Sequence, residues 1–218
     1  MRKRLVAAVV LACLAVCARV PLAAQHARLF PPQDLGLLEG PDRDAWQRPD
    51  QIMDALLIGE GSVVADLGAG GGWFTVRLAR SVGPNGLVYA EDIQPQMIQA
   101  IDRRVQREEL HNVKTVLGTP VDPRLPAGSV DAVLIVDAYH EMEQPVALLR
   151  NVAKALKPTG IVGIVNYKKD GGGPGPSMEE RVDPDKVIAD ARAAGLDLRK
   201  RENFLRYQYL LTFGLPPK

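Results

Sequence analysis

The stretch Val63-Val64-Ala65-Asp66-Leu67-Gly68-Ala69-Gly70-Gly71-Gly72-Trp73 constrains the rest of the chain. A β-branched apolar run ends in an acid and then breaks into glycines. Phe74, Leu78 and Val82 follow at helical spacing, so the pattern predicts strand, tight turn and helix. Glycines there let the backbone take positive φ and leave bare main chain for a ligand to lie against. The N–H groups that open the helix, with its dipole, favour an anionic group.

Two glycine patterns occur at such turns, and spacing separates them. The dinucleotide fingerprint G-x-G-x-x-G begun at Gly68 requires glycine where Trp73 stands; begun at Gly70 it requires glycine where Thr75 stands. The pattern acidic-x-G-x-G-x-G fits without a gap at Asp66, Gly68, Gly70 and Gly72. In this the chain resembles the class I S-adenosyl-L-methionine (SAM)-dependent methyltransferases, type 11-like, whose first motif has that form. Glycines also serve ordinary strand-to-helix turns, so the downstream sequence has to decide.

Leu87 to Ala90 reads as a second strand ending in Glu91-Asp92-Ile93. Asp92 lies 20 residues beyond Gly72, where a carboxylate can accept hydrogen bonds from both ribose hydroxyls. Glu91 is the close alternative, and a helix N-cap before Pro95 is the plain one. Gln96 to Glu109 reads as a helix and Val113 to Leu117 as a third strand, followed by Gly118-Thr119. Many members of the resembled family carry an acid straight after this glycine to meet the adenine amino group. Thr119 departs from that, leaving Val121, Asp122 or a backbone group to supply the contact.

Leu125-Pro126 and Ser129-x-Asp131 lead into strand four, Ala132 to Val136, and resemble the family's LP-x-x-S-x-D run. Asp137-Ala138-Tyr139-His140 then stand at a strand tip, where open parallel sheets bind ligands. His140 is one of three histidines; with an ordinary pKa of about 6.5 it can offer a neutral imidazole as base. The plain reading is a hydrogen-bonded structural histidine. No zinc motif is present: His140-Glu141-Met142-Glu143-Gln144 lacks the second histidine of H-E-x-x-H. Gly175-Pro176-Ser177-Met178 lacks the closing glycine of a hydrolase elbow.

Pro145 to Leu156 reads as an apolar-faced helix closed by Lys157-Pro158-Thr159-Gly160, and Ile161 to Val165 as strand five. The L-K-P-x-G run is again a family feature. Asp170 to Ser177, rich in Gly and Pro, is either a mobile surface loop or a substrate lid. Asp183-Pro184 predicts N-cap and N1 of a helix that Gly195 ends. Leu196 to Phe204 and Tyr207 to Phe213 read as a closing antiparallel pair, the second inserted and buried, with Arg199, Lys200 and Arg201 on an edge strand.

The N-terminus has a different character. Met1-Arg2-Lys3-Arg4 is a basic n-region, Leu5 to Ala18 an apolar h-region, and cleavage fits after Ala24. That is the layout of a secretory signal peptide over 1–24, predicting a periplasmic or secreted protein, cytoplasmic if the leader does not function. The 14-residue run before Arg19 is short for a membrane span, so none is expected after cleavage. Both cysteines, Cys13 and Cys17, fall in the leader, which leaves no thiol or disulfide beyond it. Losing Arg2, Lys3, Arg4 and Arg19 takes the formal charge from +1 to −3. Such a balance gives no electrostatic case for nucleic acid.

Residues 25–42 read as a linker or arm, and 43–218 as the catalytic domain. Within Arg43 to Pro49, Trp46 either caps the core or, with Gln47, forms part of a lid, since in the resembled family a segment before the first strand folds over the cofactor. The resemblance runs from Arg43 to Phe213. It implies an α/β, Rossmann-like sandwich: a mostly parallel seven-stranded sheet with a C-terminal antiparallel hairpin. It implies SAM as cofactor, held by Asp66, Gly68, Gly70, Gly72, Asp92, Ile93, Thr119 and Asp137. The expected chemistry is methyl transfer to a small-molecule acceptor, with His140 catalytic, Trp46, Tyr139 and Tyr167 around the substrate, and no metal. The rival expectation is an exported binding protein, or a degenerate one, that keeps the fold without turnover.

Overall fold

The computed structural model describes residues 29–217; the expected signal peptide and the first part of the arm lie outside them. A 3₁₀ turn over Pro32–Leu38 leads into two short helices, α1 (Arg43–Gln47) and α2 (Pro49–Ala55). The sheet strands and covering helices then alternate: β1 (Val63–Leu67), α3 (Trp73–Val82), β2 (Leu87–Asp92), α4 (Pro95–Arg107), β3 (Val113–Leu117) and β4 (Val130–Val136). After them come α5 (Pro145–Ala155), β5 (Leu156–Tyr167), α6 (Pro184–Ala193), β6 (Asp197–Glu202) and β7 (Gln208–Gly214).

The seven strands form one sheet in the order β3-β2-β1-β4-β5-β7-β6. All neighbours are parallel except β7, which runs antiparallel to both β5 and β6. Strand alternation divides the core into two layers. Val64, Val88, Ala132 and Leu134 face α2 and α3 with Ile52, Phe74 and Leu78. Ala65, Leu67, Val133 and Ile135 face α5 and α6 with Leu149, Val152, Val187 and Ala191. From β1 the chain winds outward in one direction to β3 and in the other from β4, so the crevice opens at the β1–β4 boundary, beyond the carboxyl ends of the strands.

The inserted, buried strand is β7: every residue from Gln208 to Gly214 is buried, while Arg199, Lys200 and Arg201 sit exposed on edge strand β6. Asp183 caps α6 as expected, its Oδ1 accepting from the N–H of Asp185 at 2.8 Å, and Gly195 lies at φ +89° just past the helix. Strand five differs from expectation. It starts at Leu156, because Val130 pairs with Leu156 and Ala132 with Ile161, so Lys157-Pro158-Thr159-Gly160 bulges within the strand rather than closing the helix. Among the described residues no helix is long and apolar enough to cross a membrane, and no cluster of side chains could hold a metal ion.

Candidate active site

A cavity of about 1320 Å³ opens over the carboxyl ends of β1, β2 and β4. Its floor is the glycine turn. Gly68, Gly70 and Gly72 take φ of +68°, +55° and +79°, the region that disfavours a side chain. A Cβ on Gly68 would also lie 2.5 Å from the Cβ of Ala138 at the tip of β4. Gly72 is the N-cap of α3 and supplies no side chain, so the first N–H groups of that helix have no side-chain cap.

Asp66 and Asp92 sit beneath and beside the turn. Asp66 is buried and accepts from Thr75 Oγ1 at 2.6 Å; burial raises its pKa to about 6 against the pull of that bond. Asp92 accepts from the N–H of Gly70 at 3.0 Å and of Gln94 at 2.9 Å. Burial raises its pKa and these backbone donors oppose the rise. Its bond to Gly70 ties the tip of β2 to the turn, and Ile93 lines the cavity beside it.

Trp73, which breaks the dinucleotide fingerprint, has a clear structural role. The Arg43 guanidinium lies 4.1 Å from its ring centroid and that of Arg77 3.5 Å. Arg77 also forks onto Asp44 at 2.7 and 2.9 Å. The indole thus joins α1 to α3 through two cations.

Arg43 itself is a site residue that sequence reasoning missed. It is buried, donates to the carbonyl of Leu38 and to Gln47 Oε1, and lines the cavity. Only its place within the side-chain-dense run before β1 hinted at it. Gln47, fully buried, passes the tie onward by donating to Asp137 Oδ2 at 3.2 Å and Gln208 Oε1 at 3.1 Å.

Asp137 lines the cavity, but both its oxygens accept from protein amides, the second from Gln208 Nε2 at 2.6 Å. Burial raises its pKa to about 6, with Arg43 pulling the other way. Thr119 also lines the cavity, yet its Oγ1 accepts from the N–H of Asp122 at 3.0 Å. Asp122 in turn points Oδ1 at the N–H of Arg124, at 2.8 Å. The Thr119 hydroxyl is thus engaged within its own loop, and Asp122 does not line the cavity.

His140, on a 3₁₀ turn after β4, reaches the cavity wall with only 12% of its side chain exposed. Its Nδ1 is buried without a partner, and its Nε2 lies 3.8 Å from Glu141 Oε1. Burial lowers its pKa more than Glu180 raises it, so the imidazole is neutral at physiological pH. Trp46, Tyr167 and Tyr207 form an aromatic wall, with ring centroids 6.2 and 6.1 Å from Trp46. Tyr139 does not join it. Its ring lies in the core at 3% exposure, and its hydroxyl donates to Asp190 of α6 at 2.7 Å. The 3₁₀ turn points adjacent side chains apart, and Tyr139 takes the inward place.

The Gly/Pro-rich segment is organised by a residue beyond it. Buried Arg181 donates to the carbonyls of Lys168, Gly172, Pro174 and Pro176, and its guanidinium lies 5.2 Å from the Tyr167 ring centroid. Pro174 to Ser177 thereby form part of the cavity wall. Across the cavity, the arm covers the turn. Leu35 and Leu38 approach Gly70, Glu39 pairs with Arg104 of α4, and the N–H of Phe30 donates to Glu141 Oε2 at 2.8 Å.

Bare turn, buried acid at the next strand tip and roomy crevice together fit an adenosyl cofactor, and the fold is that of the class I methyltransferases. Comparison with known proteins agrees. Residues 64–160 match the family model for a methyltransferase domain. A SAM-dependent methyltransferase from Aquifex aeolicus superposes with a TM-score of 0.81 at 26% identity, over 85% of this chain and 98% of that one. An uncharacterized methyltransferase of Mycobacterium tuberculosis is 34% identical over 144 residues, 63% of this chain and 55% of the relative. A demethylmenaquinone methyltransferase of Geobacillus stearothermophilus is 28% identical over 116 residues, 53% of this chain and 49% of the relative. The chain thus spans about half the length of these curated relatives. Residues 64–160 match a methyltransferase domain, and the sheet around them has the class I methyltransferase fold.

Proposed function

We propose that the chain transfers the methyl group of SAM to a small-molecule acceptor. The observation that carries this reading is that the glycine turn, Asp92 and His140 open on one cavity. SAM, when bound, supplies an activated methyl group on a sulfonium whose thioether leaves. Asp92 would hold the ribose hydroxyls, and the N–H groups that open α3 the anionic end. The arm residues Leu35 and Leu38 and the aromatic wall exclude water and orient the acceptor.

For an acceptor that must lose a proton, His140 takes it. Nδ1 is buried, so transfer runs through Nε2. Glu141, Glu179 and Glu180 share this wall, whereas the lining guanidinium of Arg43 is spent on Leu38 and Gln47. That charge balance favours a neutral or cationic acceptor over an anionic one. The test is incubation with SAM and a panel of phenols, amines and carboxylates, scored by mass spectrometry for S-adenosylhomocysteine (SAH) and methylated product. Product from phenols or amines supports the reading; turnover confined to carboxylates would contradict the acceptor class.

The leader pattern over residues 1–24 supports export of this domain. Fractionation of cells expressing a C-terminally tagged chain tests it. A shortened, extracytoplasmic product is expected, and a full-length cytoplasmic one would overturn it.

A further inference from the structure

One buried polar atom at the cavity has no role in that chemistry. Glu91 precedes Asp92 at the tip of β2, so its side chain leaves the sheet on the opposite face. It is 3% exposed and lines the cavity. Its Oε2 lies 3.4 Å from the N–H of Gly68, a long contact, and its Oε1 is buried with no partner at all. A buried acceptor left unsatisfied is costly, so the atom calls for a donor that the protein itself does not supply.

The next strand tip is shaped around this group. A Cβ on Gly118 would fall 1.8 Å from Glu91 Oε1, so the carboxyl group fills the space that a side chain at the end of β3 would take. Gly118 does not have positive φ; its glycine answers to Glu91 and not to the backbone. The two polar side chains that follow, Thr119 and Asp122, are already engaged with N–H groups of their own loop. Burial, and then the charge of Asp92, raise Glu91 to about 8. At neutral pH it is a carboxylic acid, with one carbonyl to accept and one O–H to donate.

We propose that Glu91 reads the base of the cofactor, accepting from the 6-amino group of adenine in place of the acid that Thr119 replaces. The inference rests on the cofactor reading above and adds to it a specificity-determining residue.

The test is calorimetric titration of the full chain with SAH and with its 6-deamino purine analogue, which carries hydrogen in place of that amino group. The wild-type chain is expected to favour SAH by about tenfold or more, because a site built to pair with an amino group rejects an analogue lacking it. Glu91→Met should weaken SAH and bring the two ligands within about twofold. Glu91→Gln keeps an acceptor and a donor and should keep the preference. Gly118→Ala acts on the same group from outside and should weaken SAH in a folded chain, as thermal unfolding would verify. Thr119→Ala should leave the preference intact. An unchanged ligand ratio in Glu91→Met, or its loss in Thr119→Ala, would overturn the assignment while leaving the cofactor reading in place. Failure of the wild-type chain to bind SAH would instead defeat the cofactor reading.

Discussion

Gln208 Nε2 donates to Asp137 Oδ1 at 2.6 Å, joining the last strand to the acid that follows β4. Asp137 holds φ +56°, a conformation that non-glycine residues adopt rarely, Asp and Asn more readily than most. Gln47 closes the triangle by bonding both partners, and Arg43 adds its charge. Asp137→Ala would leave the Gln208 amide N–H without its acceptor, at about 1–3 kcal/mol, and take one of the two acceptors of Gln47 Nε2 as well. Gln208→Leu should cost about 1–3 kcal/mol, since it leaves one acid oxygen unpaired. Denaturant unfolding checks both, and Asp137→Ala is expected to be the more destabilising.

Glu91 gives the stability of the free protein a definite pH dependence. Its carboxyl is raised from 4.5 to about 8 in the fold, chiefly by burial. Between those values the unfolded chain has released a proton that the fold retains. Its contribution is therefore full below 4.5 and is lost as pH rises toward 8. Glu91→Gln should match wild type near pH 4 and exceed it near pH 8, each pKa unit being worth about 1.4 kcal/mol. Thermal melts across that range would show the gap opening; a constant gap would contradict the account.

His140 predicts an acid limb in the rate. Burial lowers its pKa below the ordinary value, so kcat/KM with an ionisable acceptor should rise to a plateau reached before pH 7. His140→Ala should cut turnover by about 10²–10⁴-fold and change SAH affinity little. Asp92→Ala should do the reverse, weakening SAH binding more than His140→Ala does. Equal losses would undo this division of roles.

The arm should govern cofactor retention. Leu35 and Leu38 lie against the glycine turn, and Glu39 and Phe30 fasten the segment to α4 and Glu141. Leu35→Asp places a charge over the turn and should weaken SAH by about tenfold, since burying an unpaired charge is costly. Protease cleavage between residues 29 and 42 should slow when SAH is added.

Much of this was legible from local rules. The glycine turn, Asp92, the Asp183 cap and the buried β7 each announce themselves through spacing, turn chemistry or unbroken apolar runs. The residues that escaped are those whose meaning depends on distant partners. Arg43 looks like any surface arginine until Trp73 and Gln47 come beside it, and Gln208 is separated from Asp137 by 71 residues. Tyr139 and His140 are neighbours in sequence, and only the 3₁₀ turn shows that one faces the core and the other the cavity. The Lys157-to-Gly160 bulge escaped because register against β4, not local turn propensity, decides it.

The central claim is that the crevice above β1, β2 and β4 is an adenosyl-cofactor site and not a dinucleotide site. Calorimetric titration of the purified chain with SAM, SAH and NAD tests it directly. One-to-one binding of SAM and SAH, absence of NAD binding and loss of the adenosyl signal in Asp92→Ala are the predicted result. Binding of NAD, or of none of the three, would contradict the account.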